Sequence, residues 1–476
     1  MDTNLSIAQE YRVANKGLKL SSIIILIVAL IIFVCSGAVN ETQLLLIMLL
    51  LVLFPFIKTW RSKTFDIFEP INVFVVVFFM ANWFMPILRY WDFGTFSNGF
   101  AIKMGITNED FKFGLEVAVI GLIFFYLGYY SKIGKLLTKF LPRLPTKIYK
   151  ENMKFLICIC LVAGGALCLY FFKIGNSSIK YIYANRATII IPRGMFYHVM
   201  VVSLYFASMV LFCYFIKNLK GVFAKKLAYL IPVMTSIPLF MFGGREKVLI
   251  FLLVPFIIWH YTIRKLNWKK IAIVSLFVLI FIVLFGYFRA AGNLNFKNIK
   301  RLLASEVSAQ FSYSETALMV YKYYPKVHGF YYGKLMSQDF LIFMPRLIWQ
   351  DKPINYGSQL VQLDILPNLA DKVTGFGTYE AFSPLGLGYA DFGIIGVAFA
   401  MFVCGLIWSW IYEFFKRSDT RNPYSVMIFG LMIVMLPKIA GGFMGSILNG
   451  IILWIIPLVI LLKLCGLKIK MGGADA

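Results

Sequence analysis

The chain has 476 residues, 60% hydrophobic and only 14% charged, with a mean hydropathy of +0.79; a water-soluble chain of this length averages near half apolar and about a quarter charged. Its formal charge of +25 would point to nucleic acid in a soluble protein, but the basic residues sit in short stretches between apolar runs, where they set topology and attract anionic lipid headgroups. Seven cysteines, all in or at the end of apolar runs, argue against a disulfide framework or a zinc site, and three histidines leave no metal cluster.

Met1 to Leu18 is mostly polar, and no small-residue cleavage pattern follows the first apolar run, which therefore reads as a signal anchor. Apolar runs near 20–36, 43–57, 71–90, 113–130, 154–173, 196–216, 227–243, 247–263, 270–288, 386–412, 424–440 and 448–463 predict about twelve transmembrane helices. With the N-terminus inside, the inner segments hold 27 of the 47 basic residues and the outer side 20, ten of them in one long segment, 289–385. Long segments cross largely regardless of charge, so the short-segment comparison is 27 against 10. Both termini are expected in the cytoplasm. The expected organisation is an all-α polytopic membrane protein: helices 1–9 over 1–288, a large extracytoplasmic cap over 289–385, and helices 10–12 with a cytoplasmic tail over 386–476.

Within the cap, Ile299, Leu302, Leu303, Val307, Phe311, Leu318 and Met319 recur at roughly helical spacing up to Pro325, predicting an amphipathic helix. Beyond it Pro345, Pro353, Pro367 and Pro384 punctuate a Gly- and aromatic-rich stretch, read as a folded cap with little regular structure.

The outer side displays seven arginines, Arg89, Arg186, Arg193, Arg245, Arg289, Arg301 and Arg346. Arg245 stands out in Phe242-Gly243-Gly244-Arg245-Glu246-Lys247, a connection so short that it lies at the membrane surface, and Arg289 ends the ninth run in the same layer. Guanidinium groups bind phosphate by bidentate, charge-assisted hydrogen bonds, so arginines at this level suit a membrane-embedded pyrophosphate. The competing reading is that they snorkel to lipid phosphates or pair with acids.

A glycosyl transfer needs a base for the incoming hydroxyl. The acids of the cap are Glu306, Glu315, Asp339, Asp351, Asp364, Asp371 and Glu380, with Asp391 just inside the next span. Glu380 and Asp391 fit best, because Gly375, Gly377, Gly386 and Gly388 bring that backbone to the membrane surface; Asp391 alternatively reads as the N-cap of the tenth span. His328 is a further candidate base, or a structural surface histidine. Tyr313, Tyr321, Tyr323, Tyr324, Tyr331, Tyr332 and Trp349 either stack on sugar rings or pack the cap. There is no GxxxxGK[ST] loop and no cytoplasmic DxD site, so a sugar donor is expected to be lipid-linked.

The Gly-Gly-Arg turn at Gly243–Arg245, the long outer segment, the run Met344-Pro345-Arg346-Leu347-Ile348-Trp349-Gln350-Asp351-Lys352-Pro353 and Gly388-Tyr389-Ala390-Asp391-Phe392-Gly393 resemble the bacterial oligosaccharide repeat-unit polymerases, the Wzy-type O-antigen and capsule polymerases. The resemblance implies a metal-independent, GT-C-like glycosyltransferase of the bacterial inner membrane, without cofactor. It would transfer a growing glycan from undecaprenyl pyrophosphate to the non-reducing end of a new lipid-linked repeat unit, beside a flippase and a chain-length regulator. Some members carry Arg-x10-Gly patterns; Arg346 to Gly357 has that spacing, and no copy starts at Arg186 or Arg193.

Three other classes compete. A flippase of the same lipid-linked unit usually shows two related halves and short outer loops, and no internal repeat is seen here. An O-antigen ligase differs mainly in its acceptor. A membrane acyltransferase would want a His- or Ser-centred site in the spans, for which His198 and His260 are poorly placed.

Overall fold

The computed structural model describes residues 40–61, 66–84, 105–140, 147–148, 153–174, 194–241, 245–266, 313–341, 349–350, 357–365, 382–434, 454–464 and 467–468, with four helical positions between 273 and 280. The first expected span lies outside these residues, as does nearly all of 270–288. Elsewhere the apolar runs form helices: α1 Glu41–Arg61, α2 Pro70–Phe79, α3 Asn108–Tyr130, the short α4 Ile133–Leu137, α5 Met153–Ile174, α6 Gly194–Asn218, the short α7 Val222–Leu227, α8 Leu230–Met241 and α9 Arg245–Thr262. After them come α10 Tyr313–Tyr323, α11 Lys334–Leu341, α12 Ser358–Ile365, α13 Pro384–Lys416, α14 Pro423–Val434 and α15 Ile456–Leu464. The stretch beyond Pro325, expected to have little regular structure, thus carries two short helices. Among the described residues extended structure is limited to β1 Lys147–Ile148 and β2 Leu467–Lys468, paired antiparallel with Lys147 opposite Lys468.

Four helices, within α3, α5, α6 and α13, are long and apolar enough to cross a membrane; α1, α2, α9 and α14 hold shorter apolar stretches. The chain is a helical, multi-pass membrane protein. Local sequence marks several of the helix limits. Pro70 opens α2, where a missing N–H is no loss, and α2 passes into a π-helical turn at Met80–Phe84. At the head of α3 the Thr107 hydroxyl accepts from the Asp110 amide while the Asp110 carboxylate accepts from the Thr107 amide, a reciprocal capping box.

The chain folds as two compact units, 1–136 with 311–410 and 437–446, and 137–310 with 411–436 and 447–476; the division falls inside α13. In the first unit α3 is central. The Tyr126 phenol donates to the Leu51 carbonyl at 2.7 Å, and Phe74 stacks on Phe125 at 3.7 Å between ring centroids. Against α13 the approach is backbone to backbone: a Cβ at Gly128 would sit 2.1 Å from the Phe402 carbonyl oxygen, and one at Gly405 2.1 Å from that of Phe125. Small residues at such crossings replace the hydrophobic effect, which does not drive helices together in lipid. In the same unit the Lys322 ammonium donates to the Gly105 carbonyl and pairs with Asp110 at 3.6 Å.

The second unit is built around α6, buried continuously from Leu204 to Cys213, as a helix apolar on every side must be. Tyr205 packs edge-on to Phe251 and Trp454, and Phe415 stacks on Phe429 at 3.9 Å. Here lie the β1–β2 ladder and the donation from the Arg417 guanidinium to the Thr138 carbonyl.

The α3–α13 crossing can be tested against Gly165 of α5, where an added Cβ meets nothing within 4 Å. Gly405→Ala is expected to cost about 1–3 kcal/mol through overpacking, seen as a lower thermal midpoint of the detergent-purified protein. Gly165→Ala should leave the midpoint level or raise it, by about 0.5–1 kcal/mol of helix propensity. Equal midpoints for the two variants would contradict the crossing.

Candidate functional site

Of the residues singled out in the sequence, Glu380, Arg186, Arg193, Arg289 and Arg346 lie outside the described residues. Arg245 is the first residue of α9, which begins after a three-residue connection, 242–244, from the end of α8 at Met241. Asp391 and His328 are both described, and both bear on the segment leading into α11.

The helix α13 is broken one turn after it begins to carry the motif Gly388–Gly393. Phe392 (φ −142°, ψ 24°) and Gly393 (φ 62°, ψ −143°) leave the helical conformation, and Gly393 occupies a left-handed region that a side chain would strain. Asp391, immediately before the break, is fully buried. Its Oδ1 accepts from the amides of Gly333 and Leu335 at 3.2 and 3.1 Å, and its Oδ2 from the amide of Met336 at 2.9 Å. These amides open α11, where the first N–H groups of a helix have no intrahelical acceptor.

Asp391 therefore caps a helix other than its own. It is not the N-cap of the tenth span, which begins at Pro384. The neighbouring carbonyls of Ala390 and Asp391 accept from the amides of Tyr331 and Tyr332 at 3.0 and 2.9 Å. Two aromatic rings complete the joint reciprocally: a Cβ on Gly393 would come 3.3 Å from the Phe330 ring, and one on Gly333 3.2 Å from the Phe392 ring.

The segment held in this way carries His328, Tyr331 and, just upstream, Tyr324. Both phenols donate to one carboxylate oxygen, Oδ2 of Asp364 in α12, each at 2.5 Å. Burial, and then donation to Asp364, pushes both phenols well above the usual tyrosine range, so both stay protonated donors at any working pH. The His328 ring lies against both tyrosines, 5.5 Å from Tyr324 and 5.2 Å from Tyr331 between centroids. Its Nδ1 is 2.6 Å from the Gly329 carbonyl oxygen, which can only accept, so Nδ1 carries a proton. The neutral ring then presents a bare Nε2, 4.0 Å from Asp364 Oδ2. Tyr324 is buried completely, whereas the His328 side chain is 42% exposed. An imidazole with one nitrogen tied to a carbonyl and the other open is built to accept a proton from outside.

Asp364 was one of seven cap acids in the sequence with nothing local to distinguish it. The clue available was Tyr324-x3-His328-x2-Tyr331, three polar ring side chains within eight residues. Among the described residues no group of three or more His, Cys, Asp or Glu is arranged to hold a metal ion.

Replacing Asp391 by Asn keeps one acceptor oxygen but turns an NH2 toward an amide donor of α11. Leaving such a donor unmet costs about 1–3 kcal/mol. Asp391→Asn should lower the thermal midpoint and speed proteolysis between 328 and 341; a variant as stable and as resistant as the parent would show that the carboxylate is not what holds α11.

A model of the family O-antigen polysaccharide polymerase Wzy matches residues 21–468. No curated protein and no solved structure matches the chain. The matched span contains every helix from α1 to α15, including the broken α13 with its buried carboxylate and the Tyr324–His328–Tyr331–Asp364 cluster. The chain belongs to the O-antigen polysaccharide polymerase Wzy family.

Proposed function

We propose that this protein polymerises lipid-linked oligosaccharide repeat units on the outer face of the bacterial cytoplasmic membrane, transferring the growing glycan from undecaprenyl pyrophosphate to the non-reducing end of a new undecaprenyl-pyrophosphate-linked unit. The family match over 21–468 carries this reading. In it the fold is GT-C-like, with about twelve spans, both termini cytoplasmic, and 289–385 forming an extracytoplasmic cap between 1–288 and 386–476. Three contacts support that topology, because none of them can reach across a hydrocarbon core about 30 Å thick. The β1–β2 ladder and the Arg417–Thr138 hydrogen bond each join two segments that charge counting assigns to the inside. The Lys322–Gly105 bond joins two assigned to the outside.

In the transfer, the acceptor hydroxyl oxygen bonds to the anomeric carbon of the donor glycan as the bond from that carbon to the pyrophosphate oxygen breaks. The electron pair leaves on pyrophosphate, and the hydroxyl proton passes to Nε2 of His328. Arg186, Arg193, Arg245, Arg289 and Arg346 offset the charge developing on the leaving group without a metal. For Arg245, the positive end of α9 at its own position adds to the effect. Glu380 is a second group able to take the proton. Asp391, with both oxygens committed to amides, acts by positioning the His328 segment. A flippase would deliver the lipid-linked unit, and a chain-length regulator would act on the product.

Deleting the gene in its host should leave single repeat units on the lipid and no long glycan on a gel; loss of all surface glycan with accumulation inside the cell would indicate a flippase instead. In purified protein, His328→Gln should lower turnover by roughly 10²–10⁴-fold with unchanged membrane abundance, and Arg245→Ala should also lower it. Full activity of His328→Gln would remove the base. A cysteine at Val327, 69% exposed, should react in intact cells with a membrane-impermeant maleimide, and protection there would invert the topology.

A further inference from the structure

Asp364 has a second oxygen that the cluster leaves open. Oδ2 is occupied by two phenols at 2.5 Å, whereas among the described residues no donor lies on Oδ1. The carboxylate side chain is 20% exposed, beside an imidazole that is 42% exposed. Two phenol donors orient the carboxylate and hold it as an acceptor, which a freely rotating surface aspartate is not. Of the rings around it Tyr324 is buried and Tyr331 half-buried, with the Lys334 ammonium 5.8 Å from the centre of the Tyr331 ring. A carboxylate anchored by two phenols, with a half-exposed imidazole 4.0 Å away, suits a polyhydroxylated ring better than an anion, which the carboxylate would repel.

We infer that Asp364 is the acceptor-sugar-binding carboxylate: its Oδ1 takes a hydrogen bond from a hydroxyl next to the attacking one, while His328 Nε2 faces the attacking hydroxyl itself. The inference rests on the polymerase reading. It narrows the acceptor class to a terminal sugar with a free hydroxyl on the ring carbon adjacent to the one that is glycosylated, since hydroxyls on adjacent carbons suit acceptor groups as close as the His328 ring and the Asp364 carboxylate, 4.0 Å apart at their nearest atoms. Asp364 binds and orients the sugar, and the proton goes to the imidazole.

The test uses full-length protein in nanodiscs, with lipid-linked polymer as the fixed donor and, as the varied acceptor, lipid-linked single repeat unit extracted from the deletion strain. Asp364→Asn keeps an oxygen for the two phenols and replaces the open acceptor by an NH2. It should raise the acceptor KM about tenfold or more, the loss expected for a hydrogen bond to a charged group, with kcat falling less than threefold. A kcat loss at unchanged KM would overturn the binding role and leave Asp364 as a support for His328. If Asp364→Asn does not fold, wild-type protein still decides: carbodiimide labelling of Asp364 should fall several-fold with the single repeat unit and not with undecaprenyl pyrophosphate alone. Labelling insensitive to the repeat unit would overturn the assignment. Failure of the polymerase reading looks different, because wild-type protein would then elongate nothing.

Discussion

Where α13 breaks at Phe392 and Gly393, peptide groups leave the helical ladder inside an apolar protein, and groups freed in this way need partners. The first turn of α11 has the complementary need, three amides without helical acceptors. Asp391 and the two carbonyls beside it answer both at once, with five hydrogen bonds between residues 331–336 and 390–391. A buried carboxylate is expensive to desolvate, and amide donors are what make its burial tolerable. The geometry of the cluster rests on this joint and on α10: the Tyr324 amide still donates to the Val320 carbonyl of α10, and the joint holds Tyr331 from the other side, with His328 between them.

The joint is rigid in a second sense. Its foundation, α13, packs on α3 with no side chains between the backbones at Gly128 and Gly405, so neither helix can slide without a clash. The placement of the His328 imidazole thus depends on a chain of close contacts that begins among the glycines of α3 and α13 and ends at a ring 42% exposed. Catalytic groups work best on supports of this kind, since small errors in placement cost large factors in rate.

Much of the helical architecture was legible from local sequence. Apolar runs at 113–130, 154–173 and 196–216 lie within helices at Asn108–Tyr130, Met153–Ile174 and Gly194–Asn218, because run length and the flanking charges are local signals. The site was legible only in outline. Asp391 drew notice as an acid among glycines, but whether it capped its own helix or another depended on amides 55 to 58 residues away. Asp364 looked like any of the other six acids between residues 289 and 385, since its two phenols lie 33 and 40 residues from it. Interactions at such separations leave no periodicity and no short motif, whereas Gly393 of the Gly388–Gly393 motif does leave a mark, a backbone conformation that side chains rarely adopt.

The pairing of Lys147 with Lys468, and the bond from Arg417 to Thr138 across 279 residues, set an order of events during synthesis. The second unit cannot close until its last strand has left the ribosome, although α5, α6, α8 and α9 are made long before. Until then those early helices can pack on one another but lack α14 and α15, which close the unit. Contacts this distant in sequence form late and slowly, and because the first unit also draws on residues 311–410 and 437–446, a ribosome halted before residue 437 releases two incomplete bundles rather than one finished and one missing.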